Sequence, residues 1–526
     1  MTAPPSDTPE PGVQGPQGDP RARPTVAVGR LGPFPYVCRP VFVASAGLIL
    51  AFVALGLLYQ EAMARLAEQI HQWVAHELGW FYTASVALFP LVCIGIAIGP
   101  YGRLRLGAPD ERPRYTRATW FSMLFSAGMG IGLLFWSVAE PLSHYLNPPF
   151  GEGGTIAAGE TALRLTFFHW GLHAWAIYVV AALGLAVFAF RYGLPLSLRS
   201  VFYPLIGDRV FGPIGHAVDV FAVLGTMFGV ATSLGLGVIQ VSAGLDFLFD
   251  TGEGIVLKLL LIAGITAAAT TSVVLGLDRG IAMLSRVNVL AALALLLTVL
   301  ALGPTVFLLD SFLEGTGQYL GNIVQLSLWT QATGSGDWQA DWTLFYWGWW
   351  ISWSPFVGSF IARVSRGRTI REFVLGVLLV PSAVVLLWMT VFGAGAIYVQ
   401  HLGDAALAPF VQGGQISQAF FAFLDTLPAA GLTAGVATLV VMLFFVTSSD
   451  SGSLVIDMLT AGGATDPPKV QRVFWAVLEG VVAATLLLGG GLQALQTAAI
   501  TTGVPVAVIL CVLCVGLFKA LRRDAA

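Results

Sequence analysis

Long apolar runs separated by short polar connections fill the chain from residue 40 onward. Runs long enough to cross a ~30 Å hydrocarbon layer as helices begin near residues 40, 79, 116, 162, 213, 254, 280, 340, 373, 430, 470 and 497. This pattern predicts an all-α polytopic membrane protein with twelve transmembrane helices. The basic residues test that reading, because Lys and Arg collect at alternate, cytoplasmic connections. With the N-terminus inside, the clusters at 21–39, 103–117, 191–209, 279–286, 363–371, 469–472 and 519–523 share one side, and of 26 Lys and Arg only Arg65, Arg164 and Lys258 fall elsewhere. Both termini are therefore expected in the cytoplasm.

Composition agrees. The chain is 56% hydrophobic and 10% charged, with a mean hydropathy of +0.80, whereas a soluble protein carries about 25% charged residues. Lipid must cover much of its surface. The net charge of −3 gives no reason to expect nucleic acid. Cys38, Cys93, Cys511 and Cys514 lie in or beside apolar stretches, so a disulfide framework is not expected, and the C-x-x-C of Cys511 and Cys514 reads as helix or lipid packing. Residues 1–35, rich in Pro, Gly and polar side chains, are expected to be a disordered tail, without the apolar core of a signal peptide. Residues 36–112 would hold two peripheral helices and 113–310 a first core half. In 311–338, Phe312, Leu313, Leu320, Ile323, Val324, Leu326 and Leu328 recur at roughly helical spacing, predicting an amphipathic helix on the outer surface. Residues 339–520 would form the second core half, and 521–526 a short tail.

Three segments depart from the apolar rule. The third run, "WFSMLFSAGMGIGLLFWSVAEPLSHY", places Gly128, Gly130 and Gly132 near the bilayer midplane. The glycines either loosen the helix or let another helix approach closely. The tenth run carries a polar block, Thr447, Ser448, Ser449, Asp450, Ser451 and Ser453, read as a second irregular segment. Its hydroxyls either bond back to their own helix or, with carbonyls freed by unwinding, suit a small hard cation such as Na+. The eighth run, "DWTLFYWGWWISWSPF", crowds Trp342, Trp347, Trp349, Trp350 and Trp353 together. Trp342 fits an interface anchor, but the others lie deeper. With Trp170, Trp175 and Tyr178 of "HWGLHAWAIY" at similar depth, they are either core packing or an aromatic box for a quaternary ammonium group.

"GMGIGLLFWSVAEPLSHY" followed by "DWTLFYWGWWISWSPFVGSFIARVSRGRTIREF" resembles the betaine/carnitine/choline transporter family. The resemblance covers nearly all of the chain after the tail. It implies a leucine-transporter-like fold of two inverted five-helix repeats, spans 3–7 and 8–12, together with homotrimers in a bacterial cytoplasmic membrane and no enzymatic activity. It further implies a central substrate box of Trp349, Trp350 and Trp353 beside Gly128, Met129, Gly130 and Gly132, with Trp170, Trp175 and Tyr178 on the same pathway. One Na+ site would use carbonyls near Ser126 and Met129 with Phe444, Thr447 and Ser448. A second would use Phe356 with Thr226 and Thr232. Choline carriers of the family tend to place an acid where Gly132 stands, so the resemblance favours a zwitterion such as glycine betaine, driven by Na+. A proton-coupled or exchange carrier of choline or carnitine is the alternative. The short end "FKALRRDAA" argues against gating through a long charged tail. Glu479, inside span eleven, is either a proton relay or a neutral or paired acid in a helix interface, and Glu140 before Pro141 reads as structural.

Overall fold

A computed structural model describes residues 25–128, 130–275, 278–334, 336–403 and 405–525, with side chains except at 125–128, 278–282 and 525. Regular structure begins inside the stretch expected to be disordered. Gly29–Leu31 pairs antiparallel with Phe34–Val37. The tight turn between them is possible because Gly32 takes φ +55° without a side chain to clash. The hairpin is held from outside itself: Tyr36 exchanges two hydrogen bonds with the Gln471 side chain, each of 3.0 Å. Phe34 also packs against Phe42 and Phe474. Long-range contacts, which composition does not reveal, order this piece. The regular structure is otherwise helical among the described residues, α-helix with short 3-10 and π-helical turns.

Nine helices among the described residues are long and apolar enough to cross a membrane. Their outer faces carry bare aliphatic side chains, such as Leu91, Val256, Leu260, Leu290 and Leu432, a skin that only lipid or another protein tolerates. Where a separate helix begins, its start lies within six residues of the apolar run, with one larger departure. Gln60–Ile98 begins nineteen residues before the run expected near 79. Its polar first half is rich in helix formers and carries Glu61–Arg65 and Glu68–Gln72 pairs at i,i+4 spacing, which extend the helix beyond the apolar part.

The last helical element, Lys469–Ala525, has 57 residues, about 85 Å of helix and too long for one crossing. It breaks at Gly490 and Gly491, the latter at φ +58°, between the two runs read from the sequence. The third run also divides. Arg117–Gly128 ends, Gly130 is extended (φ −137°, ψ −168°), and Ile131–Leu146 begins.

The tenth run does not divide. Ala430–Thr460 passes unbroken through the polar block, correcting the expectation of irregularity there. Small hydroxyls bond back into the helix without opening it: Thr447 donates to the Leu443 carbonyl at 2.9 Å and Ser453 to that of Asp450 at 3.0 Å. The predicted surface segment is helical over Thr305–Leu328, starting earlier than expected. It turns Tyr319 inward and leaves Leu313, Leu320, Val324 and Leu328 exposed.

Several arginine-rich connections from distant parts of the chain meet one another. Arg105 bonds the Gly367 carbonyl, and Arg191 bonds both the Arg105 carbonyl and Asp524. Arg368 lies 4.0 Å from the Trp120 ring centre, while the Trp120 indole donates to Ser365. These bonds fasten the start of the glycine-containing helix to the end of the tryptophan helix, Phe345–Val364.

Candidate functional site

The tryptophan helix is buried along nearly its whole length, packed against Leu172–Ala186, Pro213–Phe249 and Lys469–Ala525. Close approach depends on small residues: a Cβ at Gly348 would meet the Ile500 backbone at 2.6 Å, and one at Gly229 would stand 3.1 Å from the Trp353 backbone nitrogen. This explains the crowded indoles. They face protein rather than lipid, and the helices around them are thinned to make room.

Residues 345, 349, 350, 353 and 356 recur at helical spacing and stack as a column. Trp349 lies parallel to Trp350 (4.6 Å, 17°), to Phe345 (5.4 Å, 18°) and to Trp353 (6.4 Å, 20°), and Trp353 stacks on Phe356. Rings from the Ile156–Trp170 and Leu172–Ala186 helices stand across this column. Trp170 meets Trp350 at 4.9 Å and 71°, and Tyr178 lies 6.4 Å from both Trp350 and Trp353, nearly perpendicular to each. Trp175 stands behind, edge-on to Tyr178. The chain bends at Gly171 between the two helices, which brings Trp170 and Tyr178 to the same column. At this corner the stacked and perpendicular rings pack directly on one another, and a cation admitted among them would lie within about 6 Å of several rings. None of the six predicted box aromatics is more than 6% exposed.

The glycine stretch closes the corner. A Cβ at Gly132 would lie 2.2 Å from the Trp349 ring, and one at Gly130 would lie 3.2 Å from that of Trp353. Here the glycines serve close approach and, at Gly130, the helix break. The side chain of Ser126, and Met129 altogether, lie outside the described residues, as does side-chain space at Gly128. The Trp349 indole donates to Ser233, and the Trp350 indole to the His169 carbonyl. The Trp353 indole nitrogen and the Tyr178 hydroxyl are buried without a hydrogen-bond partner among the described residues, two donors available to an anionic group.

The predicted sodium ligands are less assembled. Phe444 and Thr447 adjoin, the Thr447 hydroxyl lying 3.2 Å from the Phe444 carbonyl, and Ser448 follows half-buried. Thr226 and Thr232 are buried, but each hydroxyl bonds its own helix, at the Ala222 and Phe228 carbonyls, and Thr232 also reaches the Leu495 carbonyl at 3.0 Å. Phe356 belongs to the aromatic column. Glu479 lies fully buried between Ala430–Thr460 and the Lys469–Ala525 element, accepting a 3.2 Å bond from Ser449.

Sequence reasoning missed a second layer outside the box. Glu140 does more than fix a kink. Its Oε2 accepts from the Trp170 indole at 2.6 Å and from the Tyr346 hydroxyl, and its Oε1 lies 2.6 Å from His169 Nδ1 and 3.4 Å from His144 Nε2. His169 Nε2 meets the Thr343 hydroxyl at 3.0 Å. Glu140, His144 and His169 bring potential ligand atoms within 4.8 Å of one another, a spacing a metal ion could use. The available signal was one acid within an otherwise apolar run, "FWSVAEPL".

A polytopic helical membrane protein with a sealed aromatic corner beside a broken helix has the anatomy of a solute carrier, not of an enzyme. Residues 40–526 match the betaine/carnitine/choline family transporter profile. The chain is 48% identical to the glycine betaine transporter of Acinetobacter baylyi over 92% of its own length and 73% of that protein's. It is 44% identical to the glycine betaine/proline/choline transporter of Vibrio parahaemolyticus (94% and 92% covered) and 42% to the glycine betaine transporter OpuD of Bacillus subtilis (92% and 94%). The chain belongs to the betaine/carnitine/choline transporter family.

Proposed function

We propose that this protein imports glycine betaine, or a close trimethylammonium zwitterion, by Na+ symport and alternating access. The observation that carries the reading is the buried corner of Trp349, Trp350, Trp353, Trp170 and Tyr178, a set of ring faces suited to a methylated cation. The names of the relatives support the substrate class. Lack of space at Gly132 supports a zwitterion: an acid there would drive into Trp349, so the substrate brings its own carboxylate. That carboxylate would turn to the Trp353 indole, the Tyr178 hydroxyl and the amides of the glycine stretch.

Na+ would bind between the break near Gly130 and Phe444, Thr447 and Ser448, with a second ion near Thr226, Thr232 and Phe356. By bridging the two helices it would shape the box, so ion and substrate would tighten each other equally. Twelve crossings follow if the nine long helices are joined by the broken glycine-containing helix, the tryptophan helix and the second limb of Lys469–Ala525. The inverted-repeat layout, cytoplasmic termini and homotrimer complete the proposal on family grounds. Uptake of radiolabelled glycine betaine into proteoliposomes, with inward Na+ or K+ gradients, tests it. Accumulation only with Na+ is expected; equal accumulation in potassium-only buffer would remove the sodium half. Proton-driven uptake of choline or carnitine would establish the alternative.

A further inference from the structure

Glu140 is a carboxylate with no exposed surface in the apolar interior, a costly place for an acid. Among the described residues its charge-pairing neighbours are histidines only, with no Lys or Arg. The groups that hydrogen-bond it can all donate to it, namely the Trp170 indole, the Tyr346 hydroxyl and the His169 ring, while His144 Nε2 stands 3.4 Å from Oε1. An indole N–H can only donate, so Oε2 is held as an acceptor. These donors are also the fabric of the box. Trp170 stands edge-on to Trp349 and Trp350, and Tyr346 stacks on both. The chain segment bearing His169 supplies the carbonyl that fixes the Trp350 indole. The carboxylate therefore lies one indole's width behind the wall that would face a quaternary ammonium head.

We propose that Glu140 is ionised and serves as the buried counter-charge of the ammonium site, acting through the aromatic wall. This rests on the substrate class argued above. In an interior that screens weakly, a negative charge behind the rings attracts a cation in front of them. Hydrogen bonds from Trp170 and Tyr346 to an anion also polarise both rings and strengthen the pull of their faces. Distance matters as much as sign. With rings between them, Glu140 balances the head without contacting it, and the substrate's own carboxylate can point toward Gly130, some 15 Å along the helix from residue 140.

The test separates charge from shape. Glycine betaine and 3,3-dimethylbutanoate have the same outline, with nitrogen replaced by carbon in the second. Each is titrated by tryptophan fluorescence against the purified full chain and Glu140→Gln, after thermal unfolding confirms that both are folded. Betaine affinity should fall roughly tenfold in the variant while the isostere stays within about twofold. Equal weakening of both ligands would make Glu140 a shape-holder only, and no change in either would make it neutral; each result overturns the proposal. If Glu140→Gln does not fold, Tyr346→Phe keeps the ring and removes one bond to the carboxylate. It should weaken betaine alone by about threefold, and unchanged or equal loss for the two ligands again overturns the idea. Wild-type protein that binds neither ligand would instead refute the substrate reading itself, and this inference with it.

Discussion

Replacing Gly132 with alanine should cripple osmolyte binding while leaving the protein folded. The added methyl would sit 2.2 Å from the Trp349 ring, where ordinary contact begins at 3.4 Å, so the indole must retreat by about 1.2 Å. It has little freedom to do so. Trp349 is stacked between Phe345 and Trp350, and its N–H is held by Ser233 at 3.2 Å. Forcing extra carbon into such packing costs about 1–3 kcal/mol. If that strain falls mainly on the ring geometry the ligand needs, affinity drops by roughly 5- to 150-fold. The assay is betaine-dependent tryptophan fluorescence in detergent, with uptake KM alongside. Gly47→Ala is the control, because a methyl there meets nothing within 4 Å. A second variant sharpens the logic: Gly132→Ala combined with Trp349→Phe removes the clashing ring atoms and should recover part of the binding. A single Gly132→Ala protein with unchanged betaine affinity would refute the closeness on which the zwitterion argument rests.

Other outcomes follow from other parts of the molecule. Thr447→Val should raise the Na+ concentration needed for half-maximal uptake by about tenfold or more with little change in unfolding temperature, because the lost bond to Leu443 is one the helix does not require; unaltered sodium dependence would count against Thr447 as a ligand. Asp219→Ala removes the only ion-pair partner of fully buried Arg199 among the described residues, and should lower stability by about 3–5 kcal/mol, read as a lower melting temperature by fluorescence-detected gel filtration. Glu479→Gln retains an acceptor for Ser449 and should keep uptake within about threefold if the acid is an interface group; abolished uptake with a normal fold would favour a relay.

Much of this was legible beforehand because the bilayer imposes a length scale. Runs of apolar residues gave the helix starts, and the glycines of "GMGIG" marked the break at Gly130. Indoles too deep for an interface belt pointed to a buried aromatic cluster. Order in the Gly29–Val37 hairpin was not legible, since it depends on Gln471, more than four hundred residues away. The polar block at 447–453 looked like a break because a sequence does not reveal whether a hydroxyl bonds its own helix. Glu140 was visible as an oddity, but its partners Tyr346 and His169 come from two other helices, and only the fold brings them to one carboxylate.

The sealed state of the aromatic corner bears on kinetics. A solute cannot collide with rings that water itself barely reaches. If the corner is the substrate site, as proposed, capture must wait for the surrounding helices to part, so at saturating osmolyte the observed binding rate should level off at the opening rate rather than climb with concentration. Apparent affinity then includes the fraction of time the helices stand apart, so a substitution remote from every indole shifts it whenever it changes that fraction.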